Sequence, residues 1–71
     1  MSETIDARGL SCPEPSDLAF RALFGRKVAD LVVLVDDPAS REHLERLADR
    51  LGYRLTRAAR GDHEEMRFVL P

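Results

Sequence analysis

Residues 31–38 read LVVLVDDP, and this stretch organises the predicted fold. Its five apolar residues include three β-branched valines without polar alternation, which is typical of a strand covered on both faces or paired centrally. Asp37 is a favourable N-cap residue, and Pro38 fits the first position of a helix. The stretch therefore predicts a strand over residues 31–35 that leads directly into a helix.

Downstream of this stretch, the pattern predicts a helix over residues 39–51 and then two strands. Gly52 suits the C-cap of that helix. Residues 53–59 and 64–70 read as strands, and RGDH at residues 60–63 reads as the hairpin turn between them. The helix has one apolar stripe, which consists of Leu44, Leu47, Ala48 and Leu51.

Upstream, the pattern predicts a short strand over residues 4–7 and a loop over residues 8–11. A helix then opens at residues 12–15, read as CPEP, and runs to about Phe24. Proline is tolerated in a first helical turn, because its missing N–H would have no partner there. Glu14 precedes a proline, which disfavours helical angles, so regular helix could begin only at Pro15.

This first helix has two predicted apolar ridges. One ridge is expected to face the sheet, and it consists of Leu18, Ala19, Ala22 and Leu23. Phe20 and Phe24, four residues apart, form the second ridge. We expect Tyr53 and all the phenylalanines to belong to the core.

Together these elements give the order βαβαββ. The predicted fold class is α+β, a two-layer α/β sandwich with two helices packed on one face of a four-stranded mixed sheet. Strand directions are mixed, because the last connection is a hairpin and the earlier ones are crossovers. With 71 residues, the chain is predicted to form a single domain over residues 1–71.

Charge and cysteine content exclude several classes of function. The chain has 11 basic and 13 acidic residues, so it lacks the basic excess that general nucleic-acid binding needs. A local basic patch at Arg21, Arg26 and Lys27 remains open. A single cysteine excludes an internal disulfide and an all-cysteine metal site, and His43 and His63 have no helical ligand spacing. We therefore expect no metal and no cofactor.

Location follows from similar arguments. The N-terminus lacks the apolar core of a signal peptide. No apolar run approaches the ~20 residues that span a bilayer. The default expectation is a cytoplasmic protein without a membrane partner, and a reducing cytosol would keep Cys12 free.

Cys12 is the main candidate for chemistry. A free thiol has a pKa near ~8.5, and a helix N-terminus lowers it because the dipole favours negative charge. Arg8 could add a positive charge nearby, or it could be a solvated loop charge. The alternative for Cys12 itself is a small buried hydrophobe. The local pattern alone favours reactivity only slightly.

Other polar residues have simpler expected roles. Asp6 is expected to hydrogen-bond the turn that follows the first strand. Asp36 and Asp37 resemble a carboxylate pair, but helix capping accounts for Asp37 better than acid–base chemistry does. We expect His43 and His63 to be exposed and uninvolved.

Residues 5–15, read as IDARGLSCPEP, resemble the N-terminal motif of the TusA/SirA sulfur-carrier family. That motif is Asp-x-Arg-Gly-Leu-x-Cys-Pro-x-Pro. A second match is VDDPA at residues 35–39, where the family has Asp-Asp-Pro before its second helix. Length and element order also agree, so the resemblance covers essentially the whole chain. The matching positions of the first motif are Asp6, Arg8, Gly9, Leu10, Cys12, Pro13 and Pro15.

The resemblance implies a sulfurtransferase that acts as a persulfide carrier. The Cys12 thiolate would take a sulfane sulfur from a donor protein, commonly a cysteine desulfurase or a rhodanese-like protein. It would hold the sulfur as a persulfide and yield it to a downstream acceptor protein. The family serves tRNA thiolation, molybdenum-cofactor maturation and sulfur metabolism. The residues expected to support or bind at this site are Arg8, Gly9, Pro13 and Pro15.

The sequence departs from the family pattern at two places. Ser16-Asp17 stands where an apolar residue usually follows Pro15, and His43 stands where many members have an acidic residue. Asp17 could raise the pKa of Cys12 by charge repulsion. We expect these departures to change the partner more than the chemistry. Two alternatives are a non-catalytic interaction or regulatory module and a redox-sensing thiol, but Cys12 with both prolines favours the sulfur carrier.

Overall fold

The structure, a computed structural model, describes residues 3–11 and 14–71. Its elements follow the predicted βαβαββ order, and each predicted strand boundary lies within one residue of the observed one. The α+β prediction is confirmed. The elements are β1 (Glu3–Asp6), α1 (Glu14–Phe20, continued by a π-helical turn over Arg21–Gly25), β2 (Asp30–Val35), α2 (Pro38–Leu51), β3 (Arg54–Ala59) and β4 (Glu64–Val69).

The four strands form one mixed sheet in the order β1-β2-β4-β3. β1 runs parallel to β2, whereas β4 runs antiparallel to both β2 and β3. The central pairing predicted for residues 31–35 is therefore confirmed. The alternative of cover on both faces is wrong: Val32 and Leu34 are only half-buried, because both helices lie over the opposite face.

The core lies between the sheet and the two helices. Alanines on the inner face of α1 allow that helix to approach the sheet closely. Leu18 is half-buried at the margin of this face, whereas the rest of its predicted ridge is fully covered. The buried apolar residues are Ala7, Ala19, Ala22, Leu23, Leu31, Val33, Val35, Leu44, Ala48, Met66 and Phe68.

The prediction that the phenylalanines belong to the core is confirmed for Phe68 and wrong for Phe20 and Phe24. Phe68 is 0% exposed, whereas Phe20 is 42% and Phe24 is 61% exposed. The reason is geometric: Ala19, Ala22 and Leu23 occupy the sheet-facing stripe, and a residue next to that stripe is rotated by about 100° around the helix. The two exposed rings stack on each other instead, with centroids 5.1 Å apart.

Local signals set the ends of the helices. The Asp37 side chain accepts the N–H of Ala39 at 3.2 Å, as its N-cap role predicts. Gly52 ends α2 with a φ of +78°, a conformation that favours glycine. Glu14 is already helical, although it precedes Pro15. After α2, the Tyr53 hydroxyl donates to the Val28 carbonyl at 2.8 Å and so ties the chain after α1 to the end of α2.

Replacing a buried and an exposed phenylalanine by alanine tests these assignments. We expect Phe68→Ala to lower the free energy of unfolding by about 3–5 kcal/mol, because a fully buried ring is lost. The matched Phe24→Ala variant should lose less than about 1 kcal/mol, because most of that ring is already solvated. Urea denaturation followed by circular dichroism measures both. Equal losses would contradict the assigned faces.

Candidate functional site

The loop that precedes Cys12 is held by a carboxylate from a distant part of the chain. Asp36, which directly follows β2, accepts the Gly9 N–H with both oxygens, at 3.1 and 3.0 Å. Gly9 has a φ of +82°, a left-handed conformation that glycine adopts without strain. The Leu10 N–H closes the turn by donating to the Ala7 carbonyl at 3.2 Å. The described motif positions that precede Cys12 therefore form one pinned turn at the end of the sheet.

Arg8 and Asp6 form a two-pronged ion pair on this turn. Arg8 Nε and Nη2 donate to the two Asp6 carboxylate oxygens at 2.9 and 2.8 Å, and the Arg8 backbone N–H donates at 3.2 Å. The Arg8 side chain, more than its backbone N–H, lowers the pKa of the Asp6 carboxyl to about 2. The same pairing raises the pKa of Arg8. The predicted turn-bonding role of Asp6 is confirmed, and the Arg8 charge is largely matched by its neighbour.

Cys12 and Pro13 lie outside the described residues, so the predicted positions of these two site residues stay predictions. The residues on either side of them are exposed, namely Ser11 and Glu14. The Glu14 N–H donates to the Ser11 carbonyl at 3.0 Å, which holds the two ends of this segment together. Pro15 is buried and fixes the start of α1 against the interior.

The β3–β4 turn lies on the same side of the molecule as this loop. β1, β2 and β3 run in one direction, so their C-terminal ends meet at one edge of the sheet. A cavity of about 360 Å³ there is lined by Asp36, Arg41, Asp62 and His63, among others. Arg41 is paired with Glu64 at 2.8 Å across it. No local signal in the sequence predicts that this turn approaches the loop, because the approach depends on strand order.

His63 differs from its prediction. Its side chain is only 16% exposed, and its Nδ1 lies 2.8 Å from Asp62 Oδ1. The hydrogen bond with His63 lowers the pKa of the Asp62 carboxyl. A protonated His63 would also help to lower the pKa of Asp6. The expectation of an exposed His63 is therefore wrong, whereas His43 is exposed as predicted.

Over residues 3–11 and 14–71, no three side chains of the metal-ligating types His, Cys, Asp and Glu come together in a group that could hold a metal ion. None of the helices in the same part of the chain is long and apolar enough to cross a membrane.

Comparisons with known proteins agree with this geometry. The profile of the family described as sulfurtransferase TusA matches residues 3–70. A protein of Archaeoglobus fulgidus named as a candidate sulfur carrier is 33% identical over 67 residues, which cover 93% of this chain and 87% of that protein. The crystal structure of a SirA-like protein from Desulfitobacterium hafniense matches with a TM-score of 0.84 and 34% identity, covering 94% of this chain and 95% of that one.

The fold and the pinned loop thus define a small α+β protein of the SirA-like type. The chain belongs to the sulfurtransferase TusA family, whose profile spans almost all of it. The predicted family is confirmed. Membership gives the chain a general role in sulfur transfer, and hence in exchange with sulfur-donor and sulfur-acceptor proteins.

Removing the Asp36 carboxylate should release the loop. We expect Asp36→Ala to speed hydrogen exchange at the Gly9 amide by about tenfold or more, since a hydrogen bond to a charged group contributes about 1.5–3 kcal/mol. Amide exchange measured by NMR gives the rate. The matched control is Asp49→Ala, because it also removes an exposed carboxylate but from within α2. Unchanged exchange at Gly9 in Asp36→Ala would show that Asp36 does not hold the loop.

The Asp6–Arg8 pair should make stability depend on acid pH. The pKa of Asp6 is lower in the folded protein than its ordinary value of about 3.9. The contribution of Asp6 to the free energy of unfolding is therefore complete above that ordinary value. The contribution is lost as the pH falls towards about 2. We expect the urea midpoint of Asp6→Asn to fall less steeply than that of the wild type as the pH is lowered from about 4.5 to 2. A wild-type and a variant curve of equal steepness would contradict the prediction.

Proposed function

We propose that Cys12 is the sulfur-bearing residue of this chain. Its thiolate attacks the outer sulfur of a donor persulfide, a new S–S bond forms on Cys12, and the donor S–S bond breaks. The donor leaves as a thiolate, and Cys12 carries the sulfur as Cys–S–SH. Transfer to an acceptor thiolate repeats the same exchange, so no external oxidant or reductant is consumed.

The observation that carries this proposal is the complete loop motif around Cys12 in a chain of this family. Each matched residue that the structure describes has a physical role in the turn. Gly9 supplies the left-handed backbone conformation, and Arg8 is locked by Asp6. Pro15 is buried at the start of α1. We propose that Arg8, Gly9, Pro13 and Pro15 act together to present Cys12 rather than to react with sulfur.

Access for two large partners also supports the proposal. A carrier must meet a donor and an acceptor in turn, so the segment that bears the sulfur has to be reachable. Ser11 and Glu14, on either side of Cys12-Pro13, are both exposed. Glu14 and Asp17 place negative charge on the first turn of α1, close to Cys12 in the sequence. We infer that partner binding, which would cover these carboxylates, helps to set the reactivity of Cys12.

The partners that we propose are a cysteine desulfurase or a rhodanese-like protein as donor, and a downstream carrier or enzyme as acceptor. The resulting sulfur could serve tRNA thiolation, molybdenum-cofactor maturation or sulfur metabolism. Direct and strong binding of nucleic acid is not part of the proposal, because the chain carries a net charge of −2. A single free thiol suits a reducing compartment, so we propose a cytoplasmic location.

Mass spectrometry of the intact protein tests the sulfur-bearing role. We expect incubation with polysulfide, or with a cysteine desulfurase and L-cysteine, to add the mass of one sulfur atom that a reductant removes. Cys12→Ser should gain none, because it lacks the nucleophile. A wild-type chain that gains no sulfur from either source would favour a non-catalytic interaction module. A gain that persists in Cys12→Ser would place the sulfur elsewhere.

A further inference from the structure

We propose that the groove between α1 and α2 docks the protein that donates sulfur to this chain, and that this donor presents carboxylates around an apolar side chain. The inference rests on the proposed function for the identity of the partner. The groove has a volume of about 350 Å³. We call it the helix groove, and its lining includes Asp17, Phe20, His43, Arg46, Leu47 and Arg50.

The apolar part of the helix groove is an exposed pair of aromatic rings. Among the described residues, the large apolar side chains that stay exposed are Phe20, Phe24 and Leu70. Phe20 lines the helix groove and stacks on Phe24 with an interplanar angle of 12°. Phe24 and Leu70 then border an adjoining hollow of about 210 Å³. Aromatic residues and arginines are enriched among the interface residues that contribute most of the binding energy.

The charged part of the helix groove is basic. His43, Arg46 and Arg50 all line it, whereas Asp17 is the acidic residue of its lining. Neither Arg46 nor Arg50 forms an ion pair within the part of the chain that the structure describes. By contrast, Arg41 and Arg57 are paired with glutamates. The guanidinium groups of the helix groove are therefore available to carboxylates of a partner.

Position connects the helix groove with sulfur exchange. Its lining begins at Ser16 and Asp17, which lie in the first turn of α1. These residues follow Cys12 by four and five positions in the sequence. A partner that lies along α1 therefore extends to the segment that carries the sulfur. The departures from the family pattern at Ser16-Asp17 and His43 fall on this same surface.

Charge favours a different protein over a second copy of this chain. In a twofold symmetric dimer the same patch is used on both subunits, so the interface would bring together Arg46 and Arg50 of both helix grooves with only Asp17 of each as an acidic counterpart in the lining. Like charges brought together in this way repel. A partner surface with carboxylates would instead pair with Arg46 and Arg50, and an apolar side chain between them would cover Phe20.

Matched charge reversals test the helix groove. The probe is a cysteine desulfurase, and its affinity for labelled wild-type and variant chains is measured by fluorescence anisotropy. We expect Arg50→Glu to weaken binding about tenfold or more, and Phe20→Ala to weaken it similarly. Arg54→Glu is the control, because Arg54 is exposed on β3 and also forms no ion pair among the described residues. It should bind within about twofold of wild type.

The outcomes separate this inference from the proposed function. Loading of Cys12 by polysulfide needs no docking, so it reports whether each variant is still folded and reactive. Wild type that gains sulfur from neither polysulfide nor the desulfurase contradicts only the proposed function, and the anisotropy measurement on Cys12→Ser still decides the docking surface. Equal weakening by Arg50→Glu and Arg54→Glu overturns the inference, as does wild type that binds neither the desulfurase nor a rhodanese-like donor. Self-association that Phe20→Ala abolishes overturns it in favour of a second copy.

Discussion

The hydrogen bonds between the Asp36 carboxylate and the Gly9 amide join two parts of the chain that are 27 residues apart. Asp37, the next residue, caps α2 with its own carboxylate. One dipeptide therefore fixes the start of the second helix and the loop that leads into the first. Because β2 is one of the two inner strands, both attachments start from a strand that is paired on both sides. This short acidic connection is what ties the site loop to the strand beside it.

The architecture could be predicted because its signals are local. An uninterrupted run of apolar residues marked β2, and proline, glycine and aspartate marked the helix ends. The nature of the site came from a motif resemblance, since the local chemistry of Cys12 left a buried thiol as a serious alternative. The role of Asp36 was missed because its partner is distant in sequence. Recognising it required knowing that β1 lies beside β2.

Two other differences have the same physical origin. Helical spacing placed Phe20 and Phe24 on one ridge, but spacing alone does not say which ridge the sheet covers. The ridge that contains the alanines of α1 faces the sheet, because small side chains let the helix approach the sheet. His63 was expected to be exposed because it lies in a polar turn. Its partial burial follows from the meeting of three strand ends at one edge of the sheet, which no single segment encodes.

β1 has only four residues, and within the described sheet it pairs with β2 alone. An ion pair between Glu3 and Arg26 also holds it. A four-residue strand that is paired on one side has fewer hydrogen bonds to break than a strand paired on both sides, so the site loop is attached to a weakly held element. Local opening of β1 would free the loop that precedes Cys12 without breaking the β2–β4 and β3–β4 pairings. The Asp36 carboxylate acts as a latch on that opening, outside the ladder of strand hydrogen bonds.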